Sequence, residues 1–509
     1  MRGPHNLWRL IRTGATFERT GAMRVVLEAM QVPPRLRFVA RVMGWPFAFL
    51  GLKGDPALPP VTRALTALGP AYIKFGQILS TRPDIVGLDL ANQMRYLQDQ
   101  LPPFPVAQAR AMIEAELGQP VDVLFSEFSE PVAAASIAQV HRARVAETGE
   151  EVAVKVLRPG IVRAFRQDVD AFHFAAGMIE FLLPSIRRLR PTEVIRHFEG
   201  VVMGELDLRL ETAAAAEFAA NTEEDAGFRV PRPVWHLSAR QVMTLGWAEG
   251  ASLGDNDAID VLGVDRRELG ERVLQLFLKH ALRDGYFHAD MHQGNLKVGA
   301  NGDLIAYDFG IMGQIDEYTR RVYAEIIFGF IRKDYRRVAE VHFEAGYVTA
   351  DHDIDEFARA LRSVGEPIFG MDATRISMAR LLSYLFEVTE RFGMETRTEL
   401  ILLQRTMVVV EGVARSLNPS INIWNVAQPV VEDYIRETLG PKALLRDMGR
   451  ALIVLARFGP HLPGAVDASL MRLRQPPPLP ERRRSGAPLA WFIAGIAVAW
   501  AVMVTVLAV

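Results

Sequence analysis

The sequence predicts a helix-rich α+β chain of two lobes, a small strand-bearing one followed by a larger helical one, and three observations carry that expectation. Lys155 stands in the middle of an alternating strand, Val152-Ala-Val-Lys155-Val-Leu157. Downstream, His288-Ala-Asp-Met-His-Gln-Gly-Asn295 sets Asp290 and Asn295 with four residues between them, and a second alternating run ends in Asp308-Phe-Gly310. A strand lysine, then D-x-x-x-x-N, then DFG is the order in which kinase-fold proteins present their phosphate and metal ligands. The expected architecture is therefore a protein-kinase-like two-lobed fold, with a helical extension before it and a transmembrane helix after it. Each short match recurs by chance, but the three in order read as a nucleotide site. A loop leaving a helix can aim Asp290 at a hydroxyl or a water, while Asn295 and Asp308 offer the hard oxygen ligands that magnesium requires.

The 509 residues suffice for two or three domain-sized units, and 50% hydrophobic content excludes a disordered chain. A net charge of −2 argues against general nucleic-acid binding, yet the charge is unevenly spread. From Arg2 to Lys53 nine Arg/Lys stand against two acids, Glu18 and Glu28, and from Lys442 to Arg484 nine stand against three. Basic ends suggest a nearby membrane surface, although solvated helix faces would give the same count. With no cysteine, disulfides, thiolate zinc sites, iron–sulfur clusters and cysteine nucleophiles are excluded. The N-terminus has no apolar run long enough for a signal peptide.

In chain order, residues 1–60 read as a basic leader of short helices. Residues 61–120 form a helical extension in which Tyr72, Ile73, Phe75, Ile78 and Leu79 suit a helix packed on one side over Leu68–Asp84. Lys74 and Gln77 would share one of its faces, and by themselves they read as an ordinary solvated pair. A small lobe over 121–250 begins after the helix Val106–Leu117. Its strands lead through the turn Glu147-Thr-Gly149-Glu to the Lys155 strand. A lysine among valines is costly to bury unless it meets an anion, which favours phosphate and a helix glutamate as its partners. Where most kinases have a glycine-rich turn over the phosphates, this chain has Ala133-Ala134-Ala135-Ser136, expected to be stiffer because alanine resists positive φ.

Two helical segments follow, about Ile161–Leu183 and Thr192–Asn221. On the second, Asp207 and Glu211 share a face and Glu205 lies well around from both, so periodicity allows an acidic face toward Lys155 without choosing its partner. Val230–Leu237 and Gln241–Leu245 read as strands ending in the hinge Gly246-Trp-Ala-Glu249-Gly250, whose backbone would face an adenine. The large lobe, 251–475, opens with an amphipathic helix, Arg266–Arg283, and a hairpin turning at Asn301-Gly302 that presents Asp308. After Gly310 the chain enters helices by about Asp316 and stays largely helical to Phe386 or beyond, with no Ala-Pro-Glu-type anchor and no evident platform for a peptide substrate.

A stiff Pro/Arg linker, 476–486, leads to 487–509, where every residue is apolar or small apart from Thr505. As a helix these residues span about 34 Å, enough for a bilayer core. Arg482-Arg-Arg484 just before them puts the body on the cytoplasmic side of the inner membrane by the positive-inside rule. Gly495 and Ala499 form a small-x-x-x-small pair suited to packing against another helix.

Lys74-Phe-Gly-Gln77, the Ala133–Ser136 run, the Lys155 strand, Glu205-Leu-Asp207, Asp290 with Asn295, and Asp308-Phe-Gly310 together resemble the signature set of the UbiB family of atypical protein-kinase-like proteins. The resemblance runs from about Gly69 to Tyr347. It implies that the KxGQ helix lies over the active site, with Lys74 and Gln77 approaching the Glu205/Asp207 pair, and that Glu211 is the partner of Lys155. It also implies a membrane-linked ATPase or unorthodox kinase supporting ubiquinone biosynthesis, with polyprenyl-phenol lipids and other enzymes of that pathway as partners. Gly246 and Met291 depart from the family pattern, which has an acid at the hinge and a proline before the second histidine. Two other classes share parts of the pattern: a nucleotide-binding membrane scaffold without turnover, and an iron-dependent hydroxylase using His288, Asp290 and a later histidine such as His342. The hydroxylase leaves Lys155, Asn295 and Asp308 without a task.

Overall fold

The computed structural model describes residues 4–29, 34–35, 37–38, 42, 45–80, 88–94, 97, 102–182, 190–369, 388, 391–394 and 398–439. The chain divides into a compact unit, Met1–Arg436, and a second, Glu437–Val509. Both the expected linker and the expected transmembrane helix lie outside the described residues; among the described residues no helix is long and apolar enough to cross a membrane. The helical extension, the small lobe and residues 251–436 of the expected large lobe fall within the first unit, and residues 437–475 fall within the second.

The small lobe is a four-stranded antiparallel sheet in the order β1 (Phe125–Ala134), β2 (Ala138–Val145), β3 (Glu151–Leu157), then β5 (Val242–Gly246), with β4 (Phe228–Arg229) belonging elsewhere. Alternation decides the faces of β3. Val152, Val154 and Val156 enter a core with Ile113, Val121, Phe125 and Leu237, so Lys155 must point to the opposite face. The helix Val106–Leu117 closes the valine side.

Two sequence expectations change here. The alanine turn is shorter than Ala133–Ser136: Ala133 and Ala134 stay in register with Val140 and Gln139, and the turn begins at Ala135, whose N–H donates to the Ala138 carbonyl (2.8 Å). The pairing shifts register on either side of Pro131 and then continues through both alanines. Val230–Leu237 is not a strand. Pro231 and Pro233 lack the N–H that a ladder needs, leaving one isolated bridge from Pro233 to Leu245 and a 3-10 turn at Trp235–Leu237.

In the large lobe, β7 (Tyr286–His288) pairs with β10 (Met312–Gln314), and a second sheet runs β4, β9 (Leu304–Ala306), β8 (Leu296–Val298), β6 (Ala251–Ser252). The β8–β9 hairpin turns at Gly302, whose φ of +82° suits glycine. Aspartates begin the surrounding helices: Asp265 caps Arg266–Lys279 and Asp316 caps Glu317–Ile331, each accepting a first-turn N–H. The last described helices of the unit are Thr398–Leu417 and Ile423–Leu439.

One buried carboxylate ties this lobe together. Asp225 accepts from Lys279 (2.6 Å), His280 Nε2 (3.0 Å) and Arg283 (2.6 Å), joining the segment after the helix Leu208–Asn221 to the end of Arg266–Lys279. Burial alone would raise its pKa, but the bonds from His280, Arg283 and Lys279 outweigh burial and hold the carboxyl far below the usual range. A carboxylate depressed on folding stabilises above its unfolded pKa of about 4 and loses that contribution as pH falls below it. Asp225→Asn is therefore expected to destabilise the fold by about 3 kcal/mol at neutral pH, with the gap from wild type narrowing below about pH 4 in urea unfolding curves.

Candidate active site

The site is assembled at Lys155. Its ammonium donates to Glu211 Oε1 at 2.6 Å and lies 3.7 Å from Asp308 Oδ2. Burial would lower its pKa, but the Asp308 and Glu211 carboxylates raise it above the ordinary lysine value, so it stays charged. Burial likewise pushes the Glu211 carboxyl up, while the Lys155 charge and the Gly310 N–H (3.1 Å) overcome burial to hold Asp308 low.

Glu211 reaches this position because the predicted helix Thr192–Asn221 is in fact two. Pro191–Glu205 ends at Leu206, and Asp207 starts Leu208–Asn221 as its cap. This break corrects the relation of the acids. Asp207 pairs with the Arg209 guanidinium (2.6 and 2.8 Å) with Arg240 beyond it (3.8 Å), while Glu205 pairs with Lys74 Nζ (3.1 Å). Gln77 meets neither acid; its Nε2 donates to the Leu97 carbonyl (3.3 Å). Only the Lys74 half of the expected KxGQ contact is formed.

The helix that carries Lys74, Pro70–Ser80, is held by packing. Tyr72 meets the Phe172 ring edge-on at 4.9 Å, Phe75 lies 5.1 Å from Phe172 and 5.2 Å from Phe198, and the Tyr72 and Thr13 hydroxyls are 2.6 Å apart. Gly76 sits where a Cβ would strike Leu65 and Leu97, so the residue between the two polar members of the motif is there for close approach.

On the large-lobe side, Asn295 Nδ2 donates to the Asp290 carbonyl (2.9 Å) and faces its Oδ2 (3.3 Å), with His292 Nε2 3.7 Å from the same oxygen. His288 is buried and burial keeps it neutral; its Nδ1 accepts the Asp290 N–H (3.1 Å). Met291 is buried in the core and pins the loop where the family pattern has proline. Sequence reasoning missed a second brace. The buried Thr406 donates to the Ala289 carbonyl (3.0 Å), and Gln293 donates to Ser416 Oγ (2.5 Å), both partners lying on the helix Thr398–Leu417. No local pattern marks residues so far along the chain.

At the small-lobe turn, Arg158 donates to the Ala135 carbonyl from Nε (3.0 Å) and to the Pro102 carbonyl (2.9 Å), and Ser136 is buried. The turn is thus clamped from below. At the hinge, the Gly246 and Trp247 N–H groups donate to the Arg232 and Glu151 carbonyls, and Lys297 Nζ donates to the Ala248 carbonyl (2.8 Å). Those three backbone groups, expected to face an adenine, already have protein partners. A Cβ at Gly246 would meet only ordinary contacts, so glycine is not sterically required there.

The donor set fits a hard divalent cation. Asp308 is ionised and 43% exposed, and Asn295, whose Nδ2 is committed to Asp290, keeps its oxygen as an acceptor. The hydroxylase set is not assembled: among the described residues no three His, Asp or Glu side chains are grouped to hold a metal. His342 is buried against Phe357, its Nδ1 at 2.7 Å from the Val338 carbonyl, and burial lowers its pKa to about 4.

Comparison with known proteins agrees with this geometry. Residues 96–342 match the ABC1 atypical kinase-like domain and residues 361–422 match the UbiB helical domain. The chain is 39% identical over 427 residues to a probable protein kinase UbiB of Marinobacter nauticus, covering 83% of this chain and 78% of the relative. Against the protein of the same name from Xanthomonas euvesicatoria it is 40% identical over 418 residues, 80% of this chain and 75% of the relative. A solved structure, the complex of Rv3197 with erythromycin from Mycobacterium tuberculosis, superposes with a TM-score of 0.50 at 26% identity, over 70% of this chain and 90% of that one. The chain belongs to the UbiB family of atypical kinase-like proteins.

Proposed function

We propose that this chain is a membrane-anchored atypical kinase or ATPase that binds ATP with magnesium between its lobes and supports ubiquinone biosynthesis. The single observation that carries the reading is the meeting of the Glu211 and Asp308 carboxylates at the Lys155 ammonium, with Asn295 bonded to Asp290 in the loop that precedes the Asp308 hairpin. Lys155 would meet phosphate oxygens, and Asp308 with Asn295 would hold the magnesium ion. When bound, that ion offsets charge on the transferred phosphoryl group. Asp290, steadied by Asn295 and His292, would take the proton of an attacking water or hydroxyl.

The KxGQ helix supports a gated site. The Lys74 charge is among those that favour ionised Asp308, and its pairing with Glu205 ties the helix to the segment that leads to Glu211. With no peptide platform in the sequence, the reading assigns turnover to a lipid-linked task, with polyprenyl-phenol intermediates and neighbouring pathway enzymes as partners. The apolar run Ala487–Val509 behind Arg482-Arg-Arg484 supports the anchor, with the body in the cytoplasm. The clamped alanine turn also suits a second reading, a nucleotide-binding scaffold without turnover, and ATP hydrolysis separates the two.

Asp290→Asn is expected to lower ATP turnover by about two to four orders of magnitude with ATP affinity nearly unchanged, measured by steady-state hydrolysis beside equilibrium binding. Unchanged hydrolysis would remove Asp290 from its role. Lys74→Ala, which deletes the pair with Glu205, should speed exchange of a fluorescent ATP analogue in stopped flow; an unaltered rate would argue against gating. Truncation after Gln475 should turn carbonate-resistant membrane attachment into attachment that salt releases, scored by sedimentation of membranes.

A further inference from the structure

The segment between the first helices and the KxGQ region turns three phenylalanines to water. In the 3-10 helix Trp45–Leu50, Phe47 is 51% and Phe49 73% exposed, and upstream Phe38 and Val42 are 68% and 53% exposed. This is not fraying. The Leu52 N–H donates to Thr16 Oγ1 (3.0 Å), and Arg19 donates to the carbonyls of Phe49 (3.3 Å) and Gly51 (2.6 Å). Gly51 lies so near the Ala15 carbonyl that no Cβ would fit. The helix Pro4–Thr20 therefore holds the turn with its two phenylalanines outward.

Along the chain on either side of the turn the exposed cations outnumber the exposed acids. Arg12, Arg24, Arg35 and Lys53 are exposed, while Glu28 is met by both Arg24 (3.2 Å) and Arg37 (3.4 Å). Glu18 is half-buried, and the exposed Asp55 accepts the Ala57 N–H (2.9 Å). Rings fixed outward among cations match a lipid interface in which rings enter the acyl boundary and cations meet phosphates. A protein partner with an acidic rim would fit the cations as well, but two aromatic side chains projecting from a tight turn offer a wedge rather than the broad flat area that a stable protein interface buries.

We propose that the turn Trp45–Leu50 is a monotopic membrane contact that seats Phe47 and Phe49 below the headgroups of an anionic leaflet. The inference rests on the membrane-bound reading of the proposed function, because the cytoplasmic body predicted by Arg482-Arg-Arg484 faces the leaflet this turn would enter. It adds a second attachment point, near the KxGQ helix in sequence and separate from the C-terminal run.

The cysteine-free chain allows a direct test in the full-length protein. Single variants Phe47→Cys, Phe49→Cys and, as reference, Val261→Cys at an 87% exposed site would carry an environment-sensitive fluorophore. Each is mixed with phosphatidylcholine vesicles, with or without about one-third phosphatidylglycerol and with a shallow lipid-borne quencher. Positions 47 and 49 are expected to brighten about twofold or more and to be quenched from the bilayer on anionic vesicles, more weakly on neutral ones, while position 261 stays unchanged. If all three labels stay dark while the protein floats with the vesicles, the anchor reading stands and this surface is overturned. Protein that does not float at all overturns both. Brightening at 47 and 49 before any vesicle is added assigns the face to a second copy of the chain and likewise overturns the proposal.

Discussion

A charged ammonium inside a protein must be neutralised, and this constraint organises the molecule around Lys155. Its alternation partners Val154 and Val156 are committed to the small-lobe core, which fixes Lys155 on the other face of β3. From there the only way to keep it ionised is to bring carboxylates to it, one from a helix and one from the large lobe. Glu211 and Asp308 do so from positions 56 and 153 residues away along the chain. Breaking the Lys155–Glu211 pair leaves a largely covered charge without its nearest counter-ion, which destabilises the folded chain. The geometry of the lobes is thus tied to the same three side chains that would meet a triphosphate and its cation.

The helical extension obeys a different rule, shape rather than charge. Tyr72, Phe75, Phe172 and Phe198 form an aromatic cluster in which each pair contributes about 0.5–1.5 kcal/mol beyond its buried area. Against that packing, one Lys74–Glu205 ion pair is a small term, but it ties the helix to the end of Pro191–Glu205. Opening the site would therefore mean moving the helix within, or together with, its aromatic bed. Glycine at position 76 lets the helix approach Leu65 and Leu97, so the motif joins a charge and a packing requirement within one helical turn.

What could be read in the sequence follows from the same physics. Kinase-like order, the Lys155 strand, the β8–β9 hairpin and the helices after Asp316 were legible because period, turn residues and caps are local. The break at Leu206 was not. Leu206 is an ordinary helix former, and nothing in Glu205-Leu-Asp207 but the capping talent of aspartate hints that one helix stops and another starts there. Periodicity run across that break placed Asp207 with Glu211 and Glu205 apart from both, and left the partner of Lys155 open; the structure gives Lys155 to Glu211, Glu205 to Lys74 and Asp207 to Arg209. The false strand at Val230–Leu237 had its warning in Pro231 and Pro233, outweighed by valines and a tryptophan. Thr406 and Ser416 bracing the Asp290 loop had no warning at all, since tertiary contacts between distant segments leave no local trace.

The brace also changes what the missing activation segment means. In a protein-substrate kinase the stretch after DFG both positions substrate and supports the catalytic loop. Here the chain leaves Gly310 through β10 into the helix Glu317–Ile331, and the support arrives instead from Thr398–Leu417, packed so closely on Arg266–Lys279 that Gly270 has no room for a Cβ beside the Ala414 carbonyl. One helix therefore does by fixed packing what an ordered segment would do on demand. In the extension, the helix Pro4–Thr20 holds both the Trp45–Leu50 turn, through Thr16 and Arg19, and the KxGQ helix, through Thr13 and Tyr72. A site walled by rigid helices in this way has little freedom left except at the walls themselves, so any motion that admits a substrate must pass through the packing of one of them.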